Sequence, residues 1–427
     1  MKMSNRTKLY AAIIAAFVVF VLLIVLLLNV TNLKPHTNVA FYRIPERQVE
    51  AFQKTFEGMN SGKKKQYLFR FYTLDGTKPL VKQIKSKYDL VITPKGFSSE
   101  ELIAKLSKKA NKLAYPQDIL EKTTISVKQT AVYAGKKNNV MLLPLVFDNN
   151  ELAVDRRIFK ESKIKEIKSW DDVDTIARTA KKNSTLSVVF AGADDSQFLS
   201  VAGALVESLD GRNAYDALVS KIKNEIYKNE KNAQPLTAGK FDSMIENLCA
   251  PGQPLYNTAQ KIAEWQNKSY LYTDPFALSK TDVQNLMKME NAAIVLMTLS
   301  DHRATDFKTI ENYNSTYYPS QAKASSRTFA SPVYCALPLS TKKIARKTVS
   351  LLAVNLQDKL SSNTGLAPVS AACQTPDRQA DDVRYWISST NAPAVPLSEA
   401  AFKDDKNRNL FASALRNYIK YNLGSAN

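Results

Sequence analysis

The sequence predicts an α/β protein built as two lobes behind one membrane-crossing segment. The first observation is size and composition: 427 residues, 44% apolar and 23% charged, enough for more than one hydrophobic core. The second is the alternation of strand-like and helix-like runs from Val39 onward, the pattern of an α/β lobe with a largely parallel sheet. The third is the N-terminal run Leu9–Leu28, "LYAAIIAAFVVFVLLIVLLL", which carries no charge over 20 residues. At about 1.5 Å per residue such a helix crosses a hydrocarbon core of about 30 Å.

Lys2, Arg6 and Lys8 precede that run, so the N-terminus is expected in the cytoplasm and Thr31 onward outside. A cleaved signal peptide would be shorter and end in small residues. Asn-Val-Thr-Asn-Leu-Lys follows Leu28 instead, which favours an uncleaved anchor. "NVAFYRI" then reads as a strand, and "PERQVEAFQKTFEGMN" as a helix with Val49, Phe52 and Phe56 on one face. "YLFRFYTL" is a second strand, "PLVKQIKSK" a helix, and "YDLVITPKG" a third strand. "MLLPLVFDNNELAVDRRIF" runs from an apolar strand through Asp148-Asn149-Asn150 into a second apolar segment, with no turn-forming glycine between. Ser169 and Asp172 in "SWDDVDTIARTAKK" have capping-box spacing, and Trp170, Val173, Ile176, Ala177 and Ala180 share a helical face. Trp170 therefore reads as a packing residue. A strand "LSVVFAG" and a helix "SQFLSVAGALVESLDG" follow. Further on come a short helix after Ser279, a buried strand Ala292–Leu299, the strand "VYCALPL" and the helix "STKKIARKTVSLLAVNL".

Enzyme signatures are missing. No G-x-G occurs, so the dinucleotide fingerprint is absent, as are the phosphate loop and G-x-S-x-G. The S-x-x-K matches are those expected by chance in a lysine-rich chain. With only His36 and His302, a histidine-based metal cluster is not expected. Ser300-Asp301-His302 looks like a catalytic triad written in a row, but adjacent side chains on an extended chain diverge. Cys249, Cys335 and Cys373 lack zinc or redox spacing; one disulfide plus a thiol, or three buried thiols, both remain open. No enzymatic activity and no cofactor are expected. The formal charge of +19 is spread over separated lysine pairs without interleaved aromatics, which argues against nucleic acid and for solvated faces.

Four segments, in order, resemble the extracellular solute-binding proteins of sugar-type ABC transporters, the maltose-binding-protein-like family 1. They are "LLPLVFDNNELAVDRRIFKES", "SWDDV", "DDSQFLSVAGALVESLDG", and "MENAAIVLMTLSDHR" with the later "YYPS", "STKKIARKTVSLLAVNL" and "NTGLAPV". The resemblance spans about Val39 to Val369. It implies a class II, Venus-flytrap fold in which the stretch after Met141 crosses between lobes as a hinge. The expected division is 9–30 anchor, 37–145 plus 325–360 lobe 1, and 146–324 plus 361–427 lobe 2. It further implies a cleft with Tyr42 stacking on ligand and Asp148 and Asn149 bonding to it. Gln197 and Phe198 would join at a helix start, and Asp301 and His302 at a strand end. Trp386 is the one tryptophan placed to stack. The function implied is capture of a small polar ligand, such as a carbohydrate, for an ABC permease by a monomer anchored outside the cytoplasmic membrane. The alternative is a degenerate binding-protein fold that contacts a protein or an anionic polymer.

Overall fold

The structure is a computed structural model that describes residues 14, 16–23, 36–59, 67–137, 139–231, 236–320, 333–373 and 395–423. Its strands are β1 (His36–Phe41), β2 (Leu68–Thr73), β3 (Leu90–Pro94), β4 (Val132–Ala134), β5 (Asn139–Phe147), β6 (Asn150–Asp155), β7 (Leu186–Phe190), β8 (Ala292–Thr298), β9 (Tyr313–Thr316), β10 (Val333–Pro338) and β11 (Ala367–Pro368). They form two sheets, ordered β11-β5-β10-β3-β1-β2, with β4 on β5, and β7-β8-β6-β9.

The first sheet is mixed rather than largely parallel. β1 pairs parallel with β2 and β3, but β10 is antiparallel to both β3 and β5. The reason is topological. β10 follows the second sheet in sequence and starts at the cleft edge, where β3 and β5 end, so it runs against them. Helix Glu46–Gly58 buries Val49, Phe52 and Phe56, as its periodicity predicts. Phe56 lies 5.0 Å from Phe69 and 5.6 Å from Phe71 of β2, and Phe52 meets Phe41 of β1. "PLVKQIKSK" is helical only over Leu80–Gln83.

The second lobe gathers on helix Trp170–Lys182. Ser169 and Asp172 close the predicted capping box. Trp170 is buried against Trp265 and Tyr318, and its Nε1–H donates to Ser208 Oγ at 2.8 Å. Helix Asp195–Asp210 is buried along most of its length. Helix Asp405–Asn417 joins the same core through Phe411, which packs on Phe241 and Phe402.

Residues 361–373, expected in the second lobe, pack on the first. Leu366 joins Leu360 in the core that holds Phe52 and Phe56. Gln48 donates to the Thr364 carbonyl at 3.1 Å, and β11 pairs with β5. An apolar pair that completes an existing core outweighs any preference of the chain to cross early. The helix "STKKIARKTVSLLAVNL" is α-helical over Lys343–Ser350 and continues as a π-turn. The three cysteines are buried, and no disulfide joins them to one another.

Most of the Leu9–Leu28 run and Trp386 lie outside the described residues. Of that run, Ile14 and residues 16–23 are helical with exposed apolar side chains. No helix among the described residues is long and apolar enough to cross a membrane.

Ser169→Ala removes the hydroxyl that accepts the Asp172 N–H. It is expected to cost about 1 kcal/mol, read as a lower urea midpoint with an unchanged slope; Ser169→Thr should keep most of it.

Candidate functional site

The chain crosses between the sheets without reversing. β5 ends at Phe147 and β6 begins at Asn150, so Asp148 and Asn149 are the crossing residues. β8 returns beside β6 and runs at Thr298 into a short helix, Leu299–Ala304. The two passages are stitched together: Leu299 N–H donates to the Asn149 carbonyl at 2.9 Å. Asp148 Oδ1 accepts from the Ser300 N–H at 2.9 Å and the Asn149 N–H at 3.0 Å. Its Oδ2 accepts from Ser300 Oγ–H at 2.6 Å.

A cleft of about 440 Å³ opens at this crossing, outside the carboxyl ends of β1, β3 and β5. Asp148, Pro94 and Tyr334 line it from the first lobe; Asp194, Gln197, Ser200, Lys280 and Ser300 line it from the second. A third wall is the segment Pro396–Asp405. Arg43, just beyond β1, is held by this segment. Its guanidinium donates to the Ser398 carbonyl at 2.8 Å and the Phe402 carbonyl at 2.9 Å. It also pairs with Glu399 at 3.1 Å and Asp405 at 2.9 Å. Tyr42 and Ser98 of the first lobe both donate to the Lys403 carbonyl at 2.8 Å. The segment belongs to the second lobe's core through Leu397 and Phe402, so these bonds clamp one lobe onto the other.

The electrostatics follow from burial. Desolvation pushes the Asp148 carboxyl up to about 6; the Ser300 hydroxyl bond opposes it, and Asp301 adds to it. Burial also raises Glu399 above the usual carboxylate range, with Arg43 pulling it back. Lys280 pairs with Asp301 at 3.2 Å.

Of the residues expected at the site, Asp148 and Gln197 line the cleft. Asn149 lies at the crossing but is buried, and its amide donates to the Asn150 carbonyl at 3.0 Å. Asp301 caps its own helix through the Thr298 hydroxyl at 2.9 Å and reaches the cleft only through Lys280. Two aromatic expectations are corrected. Tyr42 has no exposed surface and cannot stack on a ligand. Phe198 is also fully buried, packed on Phe276 and under the Arg416 guanidinium. Apolar rings beside a cleft add to the core first. His302 sits in the short helix, not at a strand end. Its Nδ1 lies 2.6 Å from Glu151 and 2.9 Å from Ser315. Both partners meet the same ring nitrogen, so no serine–histidine–carboxylate relay exists. Arg43, Lys280, Ser300, Ser398, Glu399 and Asp405 were not foreseen. Strand alternation does not reach Arg43, which lies beyond β1 with φ of 54°.

No protein-family model and no curated protein matches this sequence. Solved structures do. A bacterial solute receptor described as having an exclusive preference for β-D-galactopyranose superposes with a TM-score of 0.64 at 11% identity, covering 91% of this chain and 94% of its own. Maltose-bound MalE3 of T. maritima gives 0.61 at 10% identity, over 90% and 95%. A chitin oligosaccharide binding protein gives 0.60 at 11%, over 92% and 99%. The chain therefore has the two-lobed, mixed α/β fold of the maltose-binding-protein type.

Asp148 gives a pH dependence of defined sign. Its carboxyl titrates near 6 in the fold and near about 3.9 when unfolded. Protonation therefore favours the native state. That stabilisation is complete below about pH 4 and is lost as pH rises through about 6, on the order of 2–3 kcal/mol. Asp148→Asn should lack this loss. Urea unfolding of both proteins at several pH values checks it; a constant difference between them would show that the group does not titrate there. Gly96→Ala tests the clamp. Its Cβ would fall inside contact distance of the Glu399 carbonyl, so small-angle scattering should show a larger radius of gyration.

Proposed function

We propose that this chain is an extracytoplasmic solute-binding protein, tethered through Leu9–Leu28, that captures a small polar ligand between its lobes for an ABC permease. The observation that carries the reading is the cleft of about 440 Å³, lined by many polar side chains, at the crossing between two α/β lobes. Its size lies within the usual range for small-molecule sites, about 300–1,000 Å³. Carbohydrate is the favoured class, because the similar receptors are described as binding galactopyranose, maltose and chitin oligosaccharide. Gln197, Ser200, Lys280 and Ser300 would bond to hydroxyls, with Asp148 and Asn149 beside them; Tyr334 is the ring available at the wall. The working unit is a monomer whose population shifts between lobe positions on binding. The ligand step is non-covalent.

A second reading, a surface interaction module, is favoured by one observation. The Pro396–Asp405 segment ties the lobes together through Arg43 with bonds that the chain itself supplies.

Thermal unfolding with galactose, maltose and chitobiose separates the two readings. A bound sugar at 100 times its dissociation constant should stabilise the fold by about 2.7 kcal/mol, and Gln197→Ala should weaken that effect. No response to any sugar, with stabilisation by a polyanion, would favour the module. The tether is checked separately. The full chain should stay with membranes after a carbonate wash and keep its original N-terminus; sequencing that begins after Leu28 would remove the anchor.

A further inference from the structure

The first lobe has a second functional edge, opposite the cleft. β1 and β3 run parallel, and β5 runs the same way because both β3 and β5 are antiparallel to β10. Their carboxyl ends form the cleft. Their amino ends, with the end of β10, form the far edge.

Lysines gather on that edge. Lys85 and Lys87 precede β3, Lys136 and Lys137 precede β5, and Lys342 and Lys343 follow β10; all are exposed. The segments are bonded side by side. Asp89 N–H donates to the Asn38 carbonyl, and Leu339 N–H donates to the Asp89 carbonyl. Lys136 N–H donates to Asn111 Oδ1 at 2.8 Å. The Arg346 guanidinium donates to the carbonyls of Leu113 and Ala114, which brings the exposed Lys108, Lys109 and Lys112 alongside.

Acids are sparse in the segments that carry this edge, with exposed Asp118 and Glu121 lying between them. Residues 102–117, 122–147 and 312–357 contain no Asp or Glu. Asp89 pairs with Lys342, but its side chain is only 2% exposed and contributes one partner. The charge of +19 is thus concentrated in part on one surface, which the lysine spacing alone did not reveal.

The tether ends at the same edge. β1 starts at His36, and seven residues separate it from Leu28, the last of the uncharged run. Fully extended, that stretch spans no more than about 30 Å. β1 then runs away from its own start, so its first residue, not its last, is the end held near the lipid.

From these we infer that the basic edge of the first lobe docks on anionic phospholipid headgroups of the membrane in which the chain is anchored. The inference rests on the tether in the function proposed above. A short tether keeps the edge at high effective concentration over the lipid, and like-signed lysines then need only come within a Debye length, about 10 Å, of the headgroups.

The test uses the full chain in vesicles of phosphatidylcholine, with and without phosphatidylglycerol. Mass spectrometry follows amine acetylation at Lys136, Lys137 and Lys343, with the exposed second-lobe residues Lys165 and Lys288 as controls. Severalfold slower acetylation at the first-lobe lysines in phosphatidylglycerol vesicles, lost at high salt and absent at the controls, is expected. The triple variant Lys136→Gln, Lys137→Gln, Lys343→Gln should show the remaining Lys342 and Lys87 equally reactive in both vesicles. Equal rates in both vesicles, for a chain that resists carbonate extraction, overturn the docking while leaving the tether intact. A chain released by carbonate loses the tether. Flotation of that chain with phosphatidylglycerol vesicles then decides, and failure to float overturns the docking too. Protection by added polyphosphate with none from phosphatidylglycerol overturns it in favour of a soluble polyanion.

Discussion

The Asp148 carboxylate sits where the chain leaves the first sheet, and it accepts both the N–H and the hydroxyl of Ser300, where the chain leaves the second. Everything at the cleft is referred to that junction. Hydrogen bonds to a charged group are worth about 1.5–3 kcal/mol each, yet the carboxyl still lies near 6, above its ordinary value. The direction decides the balance: desolvation outweighs the donors. A junction built this way is rigid because its polar groups are satisfied and sensitive because its charge is costly. The neighbouring Leu299–Asn149 bond is backbone to backbone and has no such dependence. One stitch responds to protons and the other does not.

Arg43 is the counterpart on the rim. Its backbone has φ of 54°, a conformation that costs a non-glycine residue on the order of 1 kcal/mol or more. The side chain is 1% exposed, and Glu399 and Asp405 are largely covered as well. Burying such charges is expensive, so the planar fork must be filled, and two carbonyls complete it. The arrangement is all-or-none. Pulling the C-terminal segment away would leave a buried guanidinium and buried carboxylates at once, so lobe separation is resisted until water can enter.

Much of the fold was legible because its signals are local. The face of Val49, Phe52 and Phe56, the Ser169–Asp172 box and the Asp148 crossing each lie within one short stretch. The strand direction of β10 and the lobe of residues 361–373 were not legible. They depend on which core a distant Leu366 or Cys335 completes. The cleft residues divide the same way. Gln197 was readable as a helix start. Lys280, Glu399 and Asp405 face the cleft only after segments far apart in sequence have packed. Tyr42 goes to the core with its ring, and its neighbour Arg43 is buried in turn under Glu399 and Asp405 at the wall of the cleft. The basic edge was hidden for a related reason: its lysine pairs are distant in sequence, and only the sheet register brings them together.

In the proposed tethered state, the direction of β1 would set the relation between membrane and cleft. One strand carries His36 at the lysine-rich edge and Phe41, just before Arg43, at the cleft. At about 3.3 Å per residue those ends lie about 17 Å apart. A lobe resting on its basic edge holds the cleft on the far side of the sheet from the lipid. A lobe turned to offer its cleft to a partner in the same membrane must lift that edge off the headgroups. If the chain is tethered as proposed, by no more than about 30 Å, both contacts would not be made together. Lipid docking and delivery would then be alternate postures of one tethered body, and the salt that weakens the first would favour the second.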